Sequence, residues 1–223
     1  MSPALSLLCA LTFSLLFTSG CKLLPEPQPD PTRFYTLALP AAVEASVPTN
    51  SKALRLGLRQ VELSPYLKKG LLVVRTSETE VIYSDYERWA EPLDAAVLRM
   101  LQTSLQADPR IGRVSTPPLS SEEERDYDII VRLRRADGLR LSTGSSLRFV
   151  AIIEIHSTGA GSELLTQKAF TAPDVAWNGH DYNALSRAIS ESVQLLAREI
   201  ASMIPANSPK TSTATLPAAP TSP

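Results

Sequence analysis

Side chains able to do chemistry at neutral pH are scarce in this 223-residue chain, which holds two histidines and two cysteines. His156 and His180 fall in different predicted elements, form no His-x-x-x-His pair and have no cysteine in range, so no metal site is expected. The chain carries no Gly-x-Ser-x-Gly elbow, no Gly-x-x-x-x-Gly-Lys phosphate loop and no Gly-x-Gly-x-x-Gly turn opening a helix, and Gly159-Ala160-Gly161 reads as a turn. Asp126 and Asp128 flank Tyr127 and could pair for acid–base work, but their period of two places them on a solvated strand face. The expectation is therefore no catalytic residue, no metal, no cofactor and no enzyme. Arg132, Arg134, Arg135, Arg140 and Arg148 gather in one predicted hairpin. They read either as an outward face kept soluble by charge or as a basic surface for lipid headgroups or an acidic partner.

One reactive group remains. Cys21 follows the small pair Ser19-Gly20 at the end of an apolar run from Ala4 to Phe17, too short for the roughly 20 residues that span a bilayer. An apolar core of this length, ending in small residues before a cysteine, resembles the lipobox of bacterial lipoproteins. That resemblance implies cleavage before Cys21, a diacylglyceryl thioether on its sulfur and acylation of the new amino terminus. One acyl chain gives only marginal binding, so several make a stable anchor. The alternative for the same run is an uncleaved membrane helix, which no basic flank would orient.

Composition sets the outer limits. With 43% hydrophobic and 20% charged residues the chain can bury one well-packed domain once its ends are set aside. A formal net charge of -1 and the absence of a long basic stripe exclude the phosphate neutralisation on which nucleic-acid binding rests. Both cysteines, Cys9 and Cys21, precede residue 22, so the mature domain has no disulfide and must be held by its core.

The elements follow in chain order. Residues 1–20 read as a signal peptide and 21–32 as the lipidated cysteine and a tether, with proline at 25, 27, 29 and 31 favouring an extended rod of about 3.1 Å per residue. Phe34 to Leu39 reads as a first strand and Ala41 to Lys52 as a loop. Leu54, Leu56 and Leu58 alternate with polar residues, then the apolar phase shifts to Val61 and Leu63, which predicts a bulge near Gln60. Leu71–Arg75 and Glu80–Tyr83 complete what looks like an antiparallel meander. A helix is predicted after Trp89, with Pro92 at its first position, Asp94 in its first turn and Leu93, Val97, Met100, Leu101 and Leu105 on one face. Asp108-Pro109 ends it and Ile111–Val114 is a short strand. Tyr127 to Arg134 and Leu147 to Ile155 alternate as the two arms of a hairpin linked through Asp137-Gly138 and Ser142 to Ser146. Glu163 to Thr171 is a further strand, and Asp181 caps a final helix with the stripe Leu185, Ile189, Leu196, Ile200 and Met203, Val193 at its edge. Residues 205–223, rich in Pro, Ala, Ser and Thr, are expected to be disordered. The fold class is α/β, a mainly antiparallel or mixed sheet carrying two principal amphipathic helices in a single domain, 33–204.

A family resemblance emerges from four stretches in order: Phe34-Tyr35-Thr36-Leu37, the region Val61 to Leu67 containing Ser64-Pro65-Tyr66-Leu67, then Leu72-Val73-Val74-Arg75, and Trp89-Ala90-Glu91-Pro92-Leu93. Behind a lipobox they resemble the auxiliary lipoproteins of ABC-type lipid transporters, the PqiC/YmbA-like family, across almost the whole mature domain. The resemblance implies an outer-membrane lipoprotein facing the periplasm, without catalysis, that serves an MCE-protein system moving lipids between the two membranes and supporting envelope integrity. Its implied partners are the periplasmic MCE-domain protein and the membrane, through acyl chains on Cys21; self-association is left open. Lys22 after the cysteine is compatible with outer-membrane delivery. Tyr66, Leu67 and Trp89 are the candidate partner-binding residues, although for Trp89 the favoured reading is a staple packed under the helix that follows it. The alternatives are an assembly or pilotin-like lipoprotein of another envelope machine and, third, an envelope hydrolase.

Overall fold

The structure, a computed structural model, describes residues 28–38, 53–120, 122–158 and 162–205. The expected signal peptide, Cys21, most of the tether, the loop at 41–52, the turn at 159–161 and the tail after Pro205 lie outside the described residues. The chain separates into two units, Met1–Pro31 and Thr32–Pro223, and every element below belongs to the second. In order they are β1 (Arg33–Tyr35), β2 (Leu54–Leu63), a 3-10 helix (Pro65–Lys69), β3 (Leu71–Arg75), β4 (Val81–Trp89), α1 (Leu93–Gln106), β5 (Ile111–Ser115), β6 (Tyr127–Leu141), β7 (Gly144–Ser157), β8 (Leu164–Thr171), β9 (Val175–Ala176) and α2 (Tyr182–Met203).

The sheet is mixed and forks at β6. Along one edge of that strand, its first half pairs parallel with β2 and its second half pairs parallel with β3. The other edge is antiparallel to β7 throughout, which in turn carries β8 and β9. Beyond β2 lies parallel β5, and beyond β3 come antiparallel β4 and parallel β1. Of the expected meander β2–β3–β4, only β3 and β4 form an antiparallel pair. β2 and β3 instead run the same way along one neighbour, because the 3-10 helix and Gly70, at φ 71° in the left-handed region, step the chain sideways without reversing it. The predicted bulge is present as a register shift between Leu58 and Gln60.

Alternation places one apolar set on one face. Leu54, Leu56, Leu58, Val61 and Leu63 of β2, Ile129, Val131 and Leu133 of β6, and Leu147 to Ile155 at odd positions of β7 are all buried. They share a core with Leu93, Val97, Met100, Leu101 and Leu105 of α1 and Leu185, Ile189, Val193, Leu196 and Ile200 of α2. The two helices pack on each other and on the sheet. Each buried Leu, Ile or Val side chain contributes about 1.5–3 kcal/mol. Pro92 is the N-cap residue of α1 rather than its first helical residue, with Asp94 in the first turn. β1 is shorter than expected, since the chain leaves the sheet after Tyr35: Leu37 is buried and the Ala38 N–H donates to Ser190 Oγ at 2.9 Å.

Asp181 caps α2 as predicted, its carboxylate accepting from the Ala184 N–H at 2.9 Å. Trp177, which the sequence pattern does not single out, fixes this helix start. Its indole N–H donates to the Asp181 carbonyl at 2.7 Å, and its ring covers Gly138, where an added Cβ would lie 2.6 Å from Cζ3. Gly138→Ala is expected to push the indole out of place and cost about 1–3 kcal/mol, a fall of several degrees in Tm. A thermal melt with an unchanged midpoint would show that the ring can move freely.

Candidate functional site

The fork in the sheet is built by the Ser64–Leu67 stretch. β6 has a register shift between Leu133 and Arg135, which leaves Arg134 as an extra residue opposite β7. This is also where β2 ends, with Leu63 beside Leu133. The Ser64 N–H donates to the Leu133 carbonyl at 3.0 Å, and Ser64 Oγ donates to the Arg134 carbonyl at 3.1 Å. The backbone groups freed by the bulge are thereby satisfied. Pro65 opens the 3-10 helix, and Leu67, 2% exposed, pins it to the core.

Tyr66 closes the arrangement. Its single hydroxyl proton lies 2.8 Å from Asp137 Oδ1 and 3.1 Å from the Arg134 carbonyl; the carboxylate, as the charged acceptor, takes it. Asp137 is fully buried, and Arg135 Nη2 donates to its Oδ2 at 2.8 Å while Arg75 Nε stands 3.5 Å from the same oxygen. The Arg75 guanidinium also lies over the Tyr66 ring, 5.0 Å from its centroid. Burial, then the Asp137 charge and the hydrogen bond to it, push the Tyr66 hydroxyl up to about 12, against the pull of Arg75. One carboxylate between two guanidiniums and a phenol is a cross-brace tying the 3-10 helix, β3 and β6 together. It contains no nucleophile–base pair.

Asp128 corrects the sequence reading. It is 1% exposed rather than solvated, because Arg59 Nε and Arg125 Nε each donate to its carboxylate at 2.9 Å and close over it. Gly57 lies directly beneath, where a Cβ would come within 2.2 Å of Asp128 Oδ1. Farther along the same face, Arg132 pairs with Glu62 at 2.8 Å and with Glu154, which also accepts from Gln167 at 2.8 Å. Burial opposes charge on Glu154, yet hydrogen bonds from Arg132 and His156 hold its carboxyl below the usual range.

The five hairpin arginines are therefore mostly spent inside the fold. Arg148 pairs with Asp174 at 3.1 Å, and Arg140 donates to the Gly179 carbonyl at 2.5 Å. Among the described residues only Arg134 of the five makes neither an ion pair nor a side-chain hydrogen bond. The outward-face reading fits better than a free basic surface.

The three candidate partner residues come together around the fork but point inward. Trp89, 8% exposed, shares the core cluster with Leu93 and Val97 of α1, and its backbone N–H donates to the Gly70 carbonyl at 2.9 Å. Tyr66 is half-buried and Leu67 buried. The sequence reading missed Asp137 and Arg75, the other halves of the brace. It placed Asp137-Gly138 in a turn, whereas β6 runs on to Leu141 and the hairpin tip is Ser142-Thr143. The signal was present: after Leu133 the small apolar Ala136 returns one position late, the same phase slip that marked the bulge at Gln60. Among the described residues no group of three or more His, Cys, Asp or Glu could hold a metal ion, and no helix is long and apolar enough to cross a membrane.

Comparison with known proteins joins this geometry to a family. A crystal structure of an uncharacterized protein matches with a TM-score of 0.59 at 17% identity, covering 77% of this chain and 97% of the other. A crystal structure of a Xanthomonas campestris protein of the DUF330 family matches with a TM-score of 0.63 at 12% identity, covering 76% and 92%. At such identities these likenesses establish the fold alone. Comparison with curated proteins gave no match. The sequence model of the ABC-type transport auxiliary lipoprotein component matches residues 35–201, from the end of β1 to the last turn of α2. This chain, an envelope lipoprotein associated with transport rather than a member of an enzyme family, belongs to the ABC-type transport auxiliary lipoprotein components.

Proposed function

We propose that the protein is an outer-membrane lipoprotein that serves as accessory subunit of an MCE-type lipid transport system, held by acyl chains on Cys21 and docking onto the periplasmic MCE-domain protein. The observation that carries this reading is the family match over residues 35–201 on a chain whose lipobox-like Ser19-Gly20-Cys21 and alternating prolines stand directly before it. The anchor fixes one end of the assembly at the outer membrane, and the tether gives the domain its reach. Tyr66, Leu67 and Trp89 are the residues proposed to serve the partner, Tyr66 from its half-buried place at the fork and Leu67 and Trp89 from the packing beneath it.

The test is a Cys21→Ala protein exported on an ordinary signal into cells lacking the native chain. It is expected to fold and to bind the purified MCE-domain protein, since the domain core does not involve the anchor. It is also expected to fail in restoring resistance to detergent, because a soluble copy loses its effective concentration at the membrane. Full restoration by the soluble form would reject the anchoring role. A folded protein that retains no MCE partner in a pull-down would point to an assembly or pilotin-like lipoprotein instead.

A further inference from the structure

We infer that the β1–β4 edge, with the end of the 3-10 helix, is a membrane-contacting face that takes a bilayer bearing anionic phospholipid; this rests on the reading of Cys21 as the acylated residue. Two large aromatics stand in water on this edge: Phe34 of β1 is 65% exposed and Tyr86 of β4 is 53% exposed. Phe34 pairs with Arg88, and Arg88 pairs with Leu71, so the three side chains lie in a row across β1, β4 and β3. The 3-10 helix joins this row through the bond from the Trp89 N–H to the Gly70 carbonyl. Its last residues, Lys68 and Lys69, are exposed, with Lys69 Nζ 4.2 Å over the ring of Tyr83. Among the described residues Lys68 and Arg88 make no ion pair, and the exposed carboxylate of Asp85 on β4 offsets one of the charges.

Single exposed aromatics are ordinary. The combination is not. Aromatic rings interleaved with lysine and arginine match the level of lipid headgroups, where the rings rest among acyl chain ends and the cations meet phosphate. Cations left unpaired by their own fold gain most from an anionic surface. Chain length makes a bilayer the occupant. Residues 21–32 separate the acylated cysteine from β1, a span on the order of 37 Å even if every residue extends by about 3.1 Å. β1 is thus the part of the folded unit held nearest the anchor along the chain. A weak contact here would act at the high effective concentration that the anchor provides and would set which way the domain faces.

The probe is the full-length mature chain with Cys21→Ala, without acyl groups, sedimented with phosphatidylglycerol-containing vesicles and with pure phosphatidylcholine vesicles. Binding is expected to the first and not the second, and to weaken as salt is raised. The double variants Phe34→Ser with Tyr86→Ser, and Lys68→Gln with Arg88→Gln, are each expected to lower partition into the anionic vesicles by roughly ten-fold. Their melting curves should match the parent, since all four side chains project from the surface. No binding to anionic vesicles, or unchanged partition in both variants, would overturn the inference. So would loss of the MCE-protein pull-down with vesicle binding intact, which would make this a protein interface. Failure of the anchor reading is seen separately, as an unmodified Cys21 in the mass of the native membrane-extracted protein.

Discussion

Asp137→Ala is expected to be the most damaging single change among the described residues, lowering stability by about 3 kcal/mol and Tm on the order of 10 °C. The side chain is 0% exposed and is the carboxylate that pairs with both Arg75 and Arg135, which are 15% and 24% exposed. Removing it leaves two half-buried guanidiniums facing each other across the space it filled, with the Tyr66 hydroxyl deprived of its acceptor. Partial access of both arginines to water keeps the cost toward the lower end of the range for broken buried pairs. Asp137→Asn should cost less, since an amide oxygen still accepts from Tyr66, and the order Ala worse than Asn separates charge from packing. Urea unfolding of the three chains measures both differences. A loss below about 1 kcal/mol for Ala would mean that the brace is solvated and does not tie the fork.

The parts of this fold that the sequence made legible are those governed by local periodicity. Leu93 to Leu105 and Leu185 to Ile200 repeat at helical spacing, and Asp181 precedes its helix by one residue, so both helices and one cap could be placed without tertiary information. The bulge near Gln60 was readable because it displaces apolar residues by one. The fork was not. That β2 and β3 share one neighbour depends on the length of β6, and β6 looked shorter because Arg134-Arg135 and Asp137-Gly138 resemble the end of a strand. Only pairing with β7 across residues 135–141 reveals that the strand continues. Burial of Asp128 was hidden for a similar reason. Strand alternation tells which face a residue takes but not what covers it: Arg59 reaches over from β2, and Arg125 folds back from the segment three residues before Asp128. The Ser64–Leu67 motif could be noticed but not explained until Asp137 was in place opposite it.

Tyr66→Phe should show its effect as a change in the dependence of stability on pH. The Tyr66 hydroxyl sits at about 12 in the folded protein against an unfolded value near 10, first because it is buried and then because Asp137 holds it by charge and hydrogen bond. Below pH 10 both states keep the proton, and its favourable environment counts in full. Between pH 10 and 12 the unfolded chain gives up the proton while the folded chain retains it, so stability falls by about 1.4 kcal/mol per pH unit. The total loss from this one group is roughly 2–3 kcal/mol, complete above pH 12. Phenylalanine has no proton to lose, but it leaves Asp137 short of one charge-assisted hydrogen bond and so begins about 1.5–3 kcal/mol less stable at pH 8. Wild type and variant should therefore differ most at pH 8 and converge as pH approaches 12. The hydroxyls of Tyr35 and Tyr127 are also shifted upward, chiefly by burial, and steepen both curves alike, so they cancel in the difference. Urea unfolding at pH 8, 10, 11 and 12 measures that difference directly. Curves that stay parallel across the range would mean that Tyr66 ionises as freely in the folded protein as in the unfolded one, and the cross-brace at the fork would then lack its phenol.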